Sequence, residues 1–254
     1  MKPNGRLPVS ADIFDDLAAE GDQLEAVLAG LPAQAWRSAS AAAGWTVADV
    51  VLHLAQTEEA VVASATTGGE VMDWRRYAGT VDAAMDAMVR AERGEPAEVF
   101  ERWCTARRAA LAALRQADPQ RRLGWVTSPL KPRTLATTRL AEHWAHALDI
   151  TVPLEIGYPD TARLRHIAWL GHSTLPYAFA LAGERPGEVY CELTAPDGTS
   201  WSYGSPAADS SISGPAGAFC RVGARRLAPE DSGLVARGPH GVAALRVLRN
   251  YADT

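Results

Sequence analysis

The stretch 139-RLAEHWAHALDI-150 places a glutamate, two histidines and an aspartate in a segment whose alanine and leucine pattern predicts a helix. Successive residues of a helix turn by about 100°, so Glu142 and His146, four positions apart, lie on the same face. The apolar residues form a stripe on another side of the helix: Leu140, Trp144, Ala147 and Leu148. The polar face is therefore either a solvated surface or part of a metal site.

Spacing within this helix leaves both interpretations open. On a solvated face, Arg139, Glu142 and His146 form weak pairs worth about 0.2–0.5 kcal/mol each. Two side chains one helical turn apart can equally hold one cation, and His143 with His146 offers a second pair of the same kind. By itself the pattern favours the solvated face, because most such pairs in helices bind nothing.

A second helix is predicted from 44-GWTVADVVLHLAQTEEAV-61, where Thr46 and Asp49 give the start signal of a capping box. His53 lies away from the apolar stripe of this helix, and Glu58 and Glu59, one turn or more after it, are expected at the surface. If the polar faces of the two helices meet, His53, Glu142 and His146 supply two imidazoles and one carboxylate and leave one coordination position open. That arrangement is typical of catalytic rather than structural zinc.

The composition of the chain limits the classes of protein to which it can belong. The chain has 254 residues, of which 47% are hydrophobic, and this composition predicts a globular fold. Its net charge of −5 argues against a nucleic-acid-binding surface. Cys104, Cys191 and Cys220 are far apart and form no C-x-x-C pair, which suits a reducing compartment. No stretch has the roughly 18 uncharged apolar residues of a membrane span, and no signal peptide is evident. We expect a cytoplasmic protein without a membrane partner.

A shift in composition predicts two domains, residues 1–157 and 158–254. The first is rich in Ala, Leu, Glu and Arg at helical spacing, and the connecting stretch 152–161 holds two prolines and a glycine. Pro132 and Thr134 predict a stop and a helix cap. The expected helices lie near residues 10–31, 46–66, 80–93, 96–117 and 134–151, enough for a four-helix bundle.

The sequence of the second domain predicts mixed α and β structure. Residues 161–181 give a helix up to Gly171 and a second helical piece after it. Residues 188–204 alternate around Asp197-Gly198, which predicts a two-residue hairpin turn. Pro215 begins a further helix, and residues 241–252 close the chain as another.

Two segments carry a family resemblance. GWTVADVVLHLAQTEEA (44–60) and ATTRLAEHWAHALDI (136–150) resemble the signature segments of the mycothiol-dependent maleylpyruvate isomerase group, within the DinB/YfiT-like superfamily of metal-binding four-helix bundles. Segments 192–204, 212–226 and 232–241 resemble the smaller C-terminal domain of that group, and the likeness is closest to an uncharacterised actinobacterial branch. The resemblance implies an α+β protein, with an N-terminal DinB-like four-helix bundle and a C-terminal α/β domain like sterol carrier proteins.

The resemblance also implies a site. The metal ligands of the group fall on His53, Glu142 and His146, with Zn²⁺ or another divalent metal as cofactor. An arginine of the second domain serves the site, for which Arg225 is the best candidate, and Arg139 is a second candidate for a catalytic role. His143 matches no ligand of the group.

The function implied is a metal-dependent isomerase or thiol transferase. It would act on a small carboxylate-bearing substrate, with mycothiol as cosubstrate, so that the protein cysteines are not needed. Two alternatives stay open: a thiol-independent metal enzyme of specialised metabolism (a lyase, hydrolase or cyclase) and a non-catalytic metal- or ligand-binding protein. We expect a monomer or homodimer whose partners are small molecules.

Overall fold

The computed structural model describes residues 12–67, 74–126 and 128–250. Its first part holds six helices: α1 (Ile13–Ala29), α2 (Ala33–Trp36), α3 (Val47–Thr66), α4 (Val81–Ala91), α5 (Pro96–Gln116) and α6 (Pro132–Thr151). Helices α1, α3, α5 and α6 form the four-helix bundle, in which α3 lies against α5 and α1 against α6. The short α2 and the more peripheral α4 lie outside these four.

The helix starts show how local sequence sets the bundle. Thr46 caps α3, and Asp49 reaches back to the Thr46 backbone N–H, so the predicted capping box is confirmed. The predicted cap at Thr134 is wrong. Helix α6 begins at Pro132 with Lys131 as the capping position, because a proline in the first turn has no N–H to satisfy and a φ already suited to the helix.

The second part surrounds a four-stranded sheet. Its elements are α7 (Leu164–Ser173), α8 (Leu175–Leu181), β1 (Val189–Thr194), β2 (Ser200–Tyr203), β3 (Ser210–Pro215), α9 (Ala216–Gly223), β4 (Val235–Arg237) and α10 (Gly238–Val247). The strand order is β2-β1-β3-β4, with β1 parallel to β3 and both outer pairs antiparallel. The α+β class is confirmed.

The β1–β2 hairpin is present, but its connection is longer than the two residues predicted. The Ala195 N–H donates to the Thr199 carbonyl, and the Asp197 carboxylate accepts from the Thr199 N–H, which closes a wider loop. Gly198 has a φ of 82°, a conformation that glycine adopts without a steric cost. The predicted final helix, residues 241–252, is wrong at its end, because α10 ends at Val247 and the backbone of Leu248 is no longer helical. Residues 251 and 252 lie outside the described ones.

One continuous hydrophobic cluster runs through the bundle and the second part, and α6 and α7 pack against each other between them. The boundary at residues 157/158 stays a prediction. Fifteen of the 20 residues of α6 are buried, among them Arg139, His143, His146 and Asp149, while Glu142 is partly buried. Among the helices of the described residues, none has the length and apolar composition that crossing a bilayer requires.

Candidate metal centre

Three side chains from two bundle helices meet at one point. His53 of α3 and Glu142 and His146 of α6 each bring one ligand atom within 4.8 Å of the others. The Nε2 atom of His146 lies 3.4 Å from Oε2 of Glu142. Two donors on one tetrahedral zinc ion, at about 2.0–2.1 Å each, lie about 3.4 Å apart. The α6 pair therefore already has the separation that one ion requires.

The polar face of α6 is not a solvated surface. His146 is 9% exposed and His53 is 8% exposed. The two imidazole rings lie 5.0 Å apart, and the ring of Trp45 lies 5.1 Å from that of His53. The Nδ1 atom of His53 is buried and has no hydrogen-bond partner among the described residues. A buried imidazole of this kind fits a site whose remaining partner is a metal ion.

His146 is held by a partner behind it. Its Nδ1 atom lies 2.9 Å from the Asp149 carboxylate, so Nε2 is the nitrogen that faces Glu142. Asp149 is itself buried and accepts two hydrogen bonds from Arg226, at 2.8 and 2.5 Å. Metal-binding histidines commonly donate their second N–H to a carboxylate in this way, which fixes the ring and its tautomer.

The protonation states suit cation binding. Burial, together with the nearby His146, lowers the pKa of His53 to about 3, so its imidazole is neutral at pH 7. Burial alone would raise the pKa of Glu142, but the hydrogen bond and charge of His146 outweigh it and hold that pKa below the ordinary value. Burial likewise opposes the charge on His146, yet Asp149 and Glu142 raise its pKa. A cation at this point replaces the proton on His146.

Arg139, expected at an ordinary helix surface unless it serves the site, is 1% exposed. Its Nε donates to Glu58 and its Nη2 to the Thr57 hydroxyl, both at 2.8 Å. The guanidinium lies 5.6 Å from the centre of the Trp125 ring. Glu58 was also expected at the surface and is likewise buried, because the faces of α3 and α6 that carry these residues meet.

His143 belongs to a different contact. The Trp103 indole donates to its Nε2 at 3.2 Å, and its Nδ1 lies 2.9 Å from the Arg139 carbonyl. Burial lowers its pKa. It lies outside the three-residue group, between the Trp103 indole and the Arg139 carbonyl.

A cavity of about 890 Å³ opens beside the three ligands, and Arg139 and Arg226 also line it. Arg225 does not. It lies in a neighbouring cavity of about 990 Å³, where its backbone has a φ of 56°. The Arg226 N–H donates to the Arg221 carbonyl, which closes the helix-ending turn of α9. Arg226 lines both cavities, whereas Arg225 lines only the second. The sequence could not distinguish these adjacent arginines.

The three cysteines are buried and none of them lines this cavity. Burial raises the pKa of each thiol, that of Cys191 to about 12. They are protonated at neutral pH and are poor nucleophiles.

The sequence matches the pattern of the mycothiol maleylpyruvate isomerase N-terminal domain over residues 17–151. The chain belongs to the mycothiol-dependent maleylpyruvate isomerase family. Two uncharacterised proteins of Mycobacterium tuberculosis, from strains CDC 1551 / Oshkosh and ATCC 25618 / H37Rv, are each 33% identical to it over 241 residues. Those alignments cover 93% of this chain and 94% of each relative.

Two solved structures share the fold of this family member. The crystal structures of the mycothiol-dependent maleylpyruvate isomerase and of a histidine-to-alanine mutant each superpose with a TM-score of 0.59, at 16% and 15% identity. The superpositions cover 95% of this chain and 99% of the other. At this identity the likeness establishes the architecture of the bundle and the C-terminal part.

Proposed function

We propose that this family member is a divalent-metal enzyme, with Zn²⁺ or a similar ion, that isomerises a small carboxylate-bearing substrate or transfers a thiol to it. Mycothiol is the proposed cosubstrate. The observation that carries the proposal is the convergence of His53, Glu142 and His146 on the wall of one large cavity. Three protein ligands leave a position open to a small molecule, as catalytic zinc sites do.

The chain's own residues have separable tasks. His53, Glu142 and His146 would hold the metal, and Asp149 would keep Nε2 of His146 directed at it. When bound, the metal lowers the pKa of a thiol and polarises a substrate carbonyl. The bundle buries the ligands, so the cation is screened by water less than it would be on a surface.

Two arginines on the cavity wall are the proposed carboxylate binders. Arg139 is fixed by Glu58 and Thr57, and Arg226 is fixed by Asp149. A guanidinium can bind a carboxylate through two parallel hydrogen bonds, and both groups are held in place before a ligand arrives. We assign Arg226, in place of the expected Arg225, as the arginine that the C-terminal part supplies.

The thiol must come from outside the protein. Since the three cysteines are buried away from the cavity and their pKa values are raised, none of them can act as the nucleophile at neutral pH. A cavity of about 890 Å³ lies in the upper range of small-molecule sites and is large for a short dicarboxylate alone. It has room for a thiol cosubstrate as well.

The experiment is a turnover assay of zinc-loaded protein with maleylpyruvate, with and without mycothiol. The proposal expects turnover only when both zinc and thiol are present, and little or none in His146→Ala. Arg226→Met should raise KM more than it lowers kcat, while Arg237→Met, an arginine of β4 away from the cavity lining, serves as the matched control. Turnover that survives removal of the thiol identifies a thiol-independent metal enzyme. Bound zinc without any turnover identifies a binding protein, and either result overturns the proposal.

A further inference from the structure

We infer that the metal cavity takes a monocarboxylate with a flat apolar body, such as an aryl or arylvinyl acid, in preference to a short aliphatic dicarboxylate. The inference deepens the proposed function and rests on it, because the substrate carboxylate is placed at the metal and arginine end. The feature that carries it is a wall of the cavity that holds three tryptophan rings and begins beside the candidate ligands.

Two tryptophans of this wall, Trp45 and Trp74, have indole N–H groups that are already bound within the protein. The indole N–H of Trp45 is bound to the Asp86 carboxylate at 3.0 Å, and that of Trp74 to the Val126 carbonyl at 3.2 Å. Both rings line the cavity, as does Trp125. Because the donors of Trp45 and Trp74 are already used, a ligand meets the apolar faces of these rings, which prefer another ring or an apolar chain.

The aromatic wall begins at the metal ligands themselves. The ring of Trp45 lies 6.4 Å from that of His146, at an interplanar angle of 27°, and 5.1 Å from that of His53. A planar group that extends from a carboxylate bound near the ligands would therefore run along the Trp45 face. Stacking of this kind stabilises a complex beyond simple burial of area.

Part of this wall lies outside the main core, although Trp45 and Trp125 also pack against that core. Trp74, Ala84, Met85 and Met88 form a small separate hydrophobic cluster, with Trp45, Val81 and Val126 partly buried against it. Helix α4 carries most of that cluster and packs mainly on α3 and on the short helical turn at residues 74–76. Apolar residues that border a cavity give up part of their burial, so their placement favours a ligand with complementary apolar surface.

Charge on the α4 side disfavours a second carboxylate. Asp82 and Asp86 line the cavity there, and Asp86 is paired with Arg90 at 2.9 Å. Both lining arginines, Arg139 and Arg226, lie on the side of α6 and α9. A dicarboxylate held at the arginine end would direct its other carboxylate towards these two aspartates. The like charges repel, and an aryl group in the same place meets no such opposition.

The test compares cinnamate with fumarate by calorimetric titration of zinc-loaded protein. The two probes share a trans-vinyl carboxylate and differ only in a phenyl group against a second carboxylate. Cinnamate should bind at least about tenfold more tightly than fumarate, which corresponds to a difference in binding free energy of roughly 1.4 kcal/mol. Trp45→Leu should weaken cinnamate binding about tenfold and leave fumarate within about twofold.

Trp169→Leu is the matched control, because Trp169 lies on α7, is 43% exposed and does not line the cavity. If Trp45→Leu loses zinc, Met85→Gln replaces it, since Met85 lies on α4 away from the ligands and should likewise lower cinnamate affinity alone. Equal or tighter binding of fumarate, absence of cinnamate binding, or no effect of the wall variants would overturn the inference.

The two proposals fail separately. A preference for fumarate together with thiol-dependent turnover overturns the substrate class alone. Maleylpyruvate is itself an aliphatic dicarboxylate, so a preference for cinnamate overturns the proposed reaction only if neither maleylpyruvate nor cis-cinnamate shows thiol-dependent isomerisation.

Discussion

At the scale of single residues, Asp149 connects the two parts of the chain at the site. It accepts from His146 on α6 and from Arg226 after α9. Burial would raise the pKa of Asp149, but these two donors outweigh it and lower that pKa. The carboxylate therefore stays charged and fixes the positions of a histidine of the bundle and an arginine of the second part relative to each other.

We predict that Asp149→Asn lowers zinc affinity about 10- to 100-fold, because the amide cannot stabilise the His146 imidazole as the carboxylate does. Competition against a chromogenic chelator measures the affinity. Asp160→Asn is the matched control, since Asp160 also pairs with an arginine, Arg221, but does not contact His146. Equal zinc affinities in the two variants would show that Asp149 does not position His146.

The pair of Arg139 and Glu58 gives a second prediction at this scale, because both side chains are only 2% exposed. Glu58→Gln leaves the arginine charge buried without a counter-charge and should lower the free energy of unfolding by about 3–5 kcal/mol. The double variant Glu58→Leu with Arg139→Met should lose less than the single one, since it removes both charges. Urea denaturation measures both.

Glu59→Gln is the control for this pair. Glu59 is the next residue, is 44% exposed and pairs with Arg102, so its loss should cost no more than about 1 kcal/mol. A small effect in both Glu58→Gln and Glu59→Gln would show that the Arg139–Glu58 pair is not buried in solution.

At the scale of elements, hydrophobic periodicity and cap signals predicted the bundle helices to within a few residues. The strands were harder: β3, SSISGP, carries glycine and serine in place of an alternating apolar pattern, and β4 has only three residues. Their pairing with β1 and with each other depends on contacts distant in sequence. Which face of a helix is buried is also a tertiary property, so Glu58 and Arg139 were expected at the surface.

The α3 capping box allows a pH prediction. Burial opposes the charge of Asp49, but hydrogen bonds from Arg93 and Thr46 hold its pKa below the ordinary 3.8. The stabilisation by its carboxylate is therefore fully present above about pH 4 and is lost as the pH falls through the lower folded-state pKa. Asp49→Asn should cost about 1–2 kcal/mol at pH 7, and the difference from the wild type should shrink towards pH 3.

Urea midpoints of the wild type and Asp49→Asn from pH 7 to pH 3 test this prediction. Asp197→Asn is the control, because Asp197 caps only an exposed hairpin loop. A difference that stays constant with pH would mean that the Asp49 carboxylate contributes through packing rather than through its charge.

At the scale of the whole molecule, the bundle supplies the three proposed ligands and the C-terminal part supplies Arg226 to the same cavity. The family resemblance pointed to His53, Glu142 and His146 as ligands, and helical spacing placed Glu142 and His146 together; the structure brings the three side chains to one point. It could not select Arg226 over Arg225, nor reveal the tryptophan wall, because those depend on the turn after α9 and on how α4 packs. The metal centre itself is the claim on which the rest depends.

The most direct test is the zinc content per chain after equilibrium dialysis, measured by elemental analysis together with the melting temperature. The wild type and the control Glu59→Gln should each retain a single ion, whereas His53→Ala, Glu142→Gln and His146→Ala should retain little or none while still folding. Zinc kept at a full equivalent by all three ligand variants, or absent from the wild type, would contradict the account.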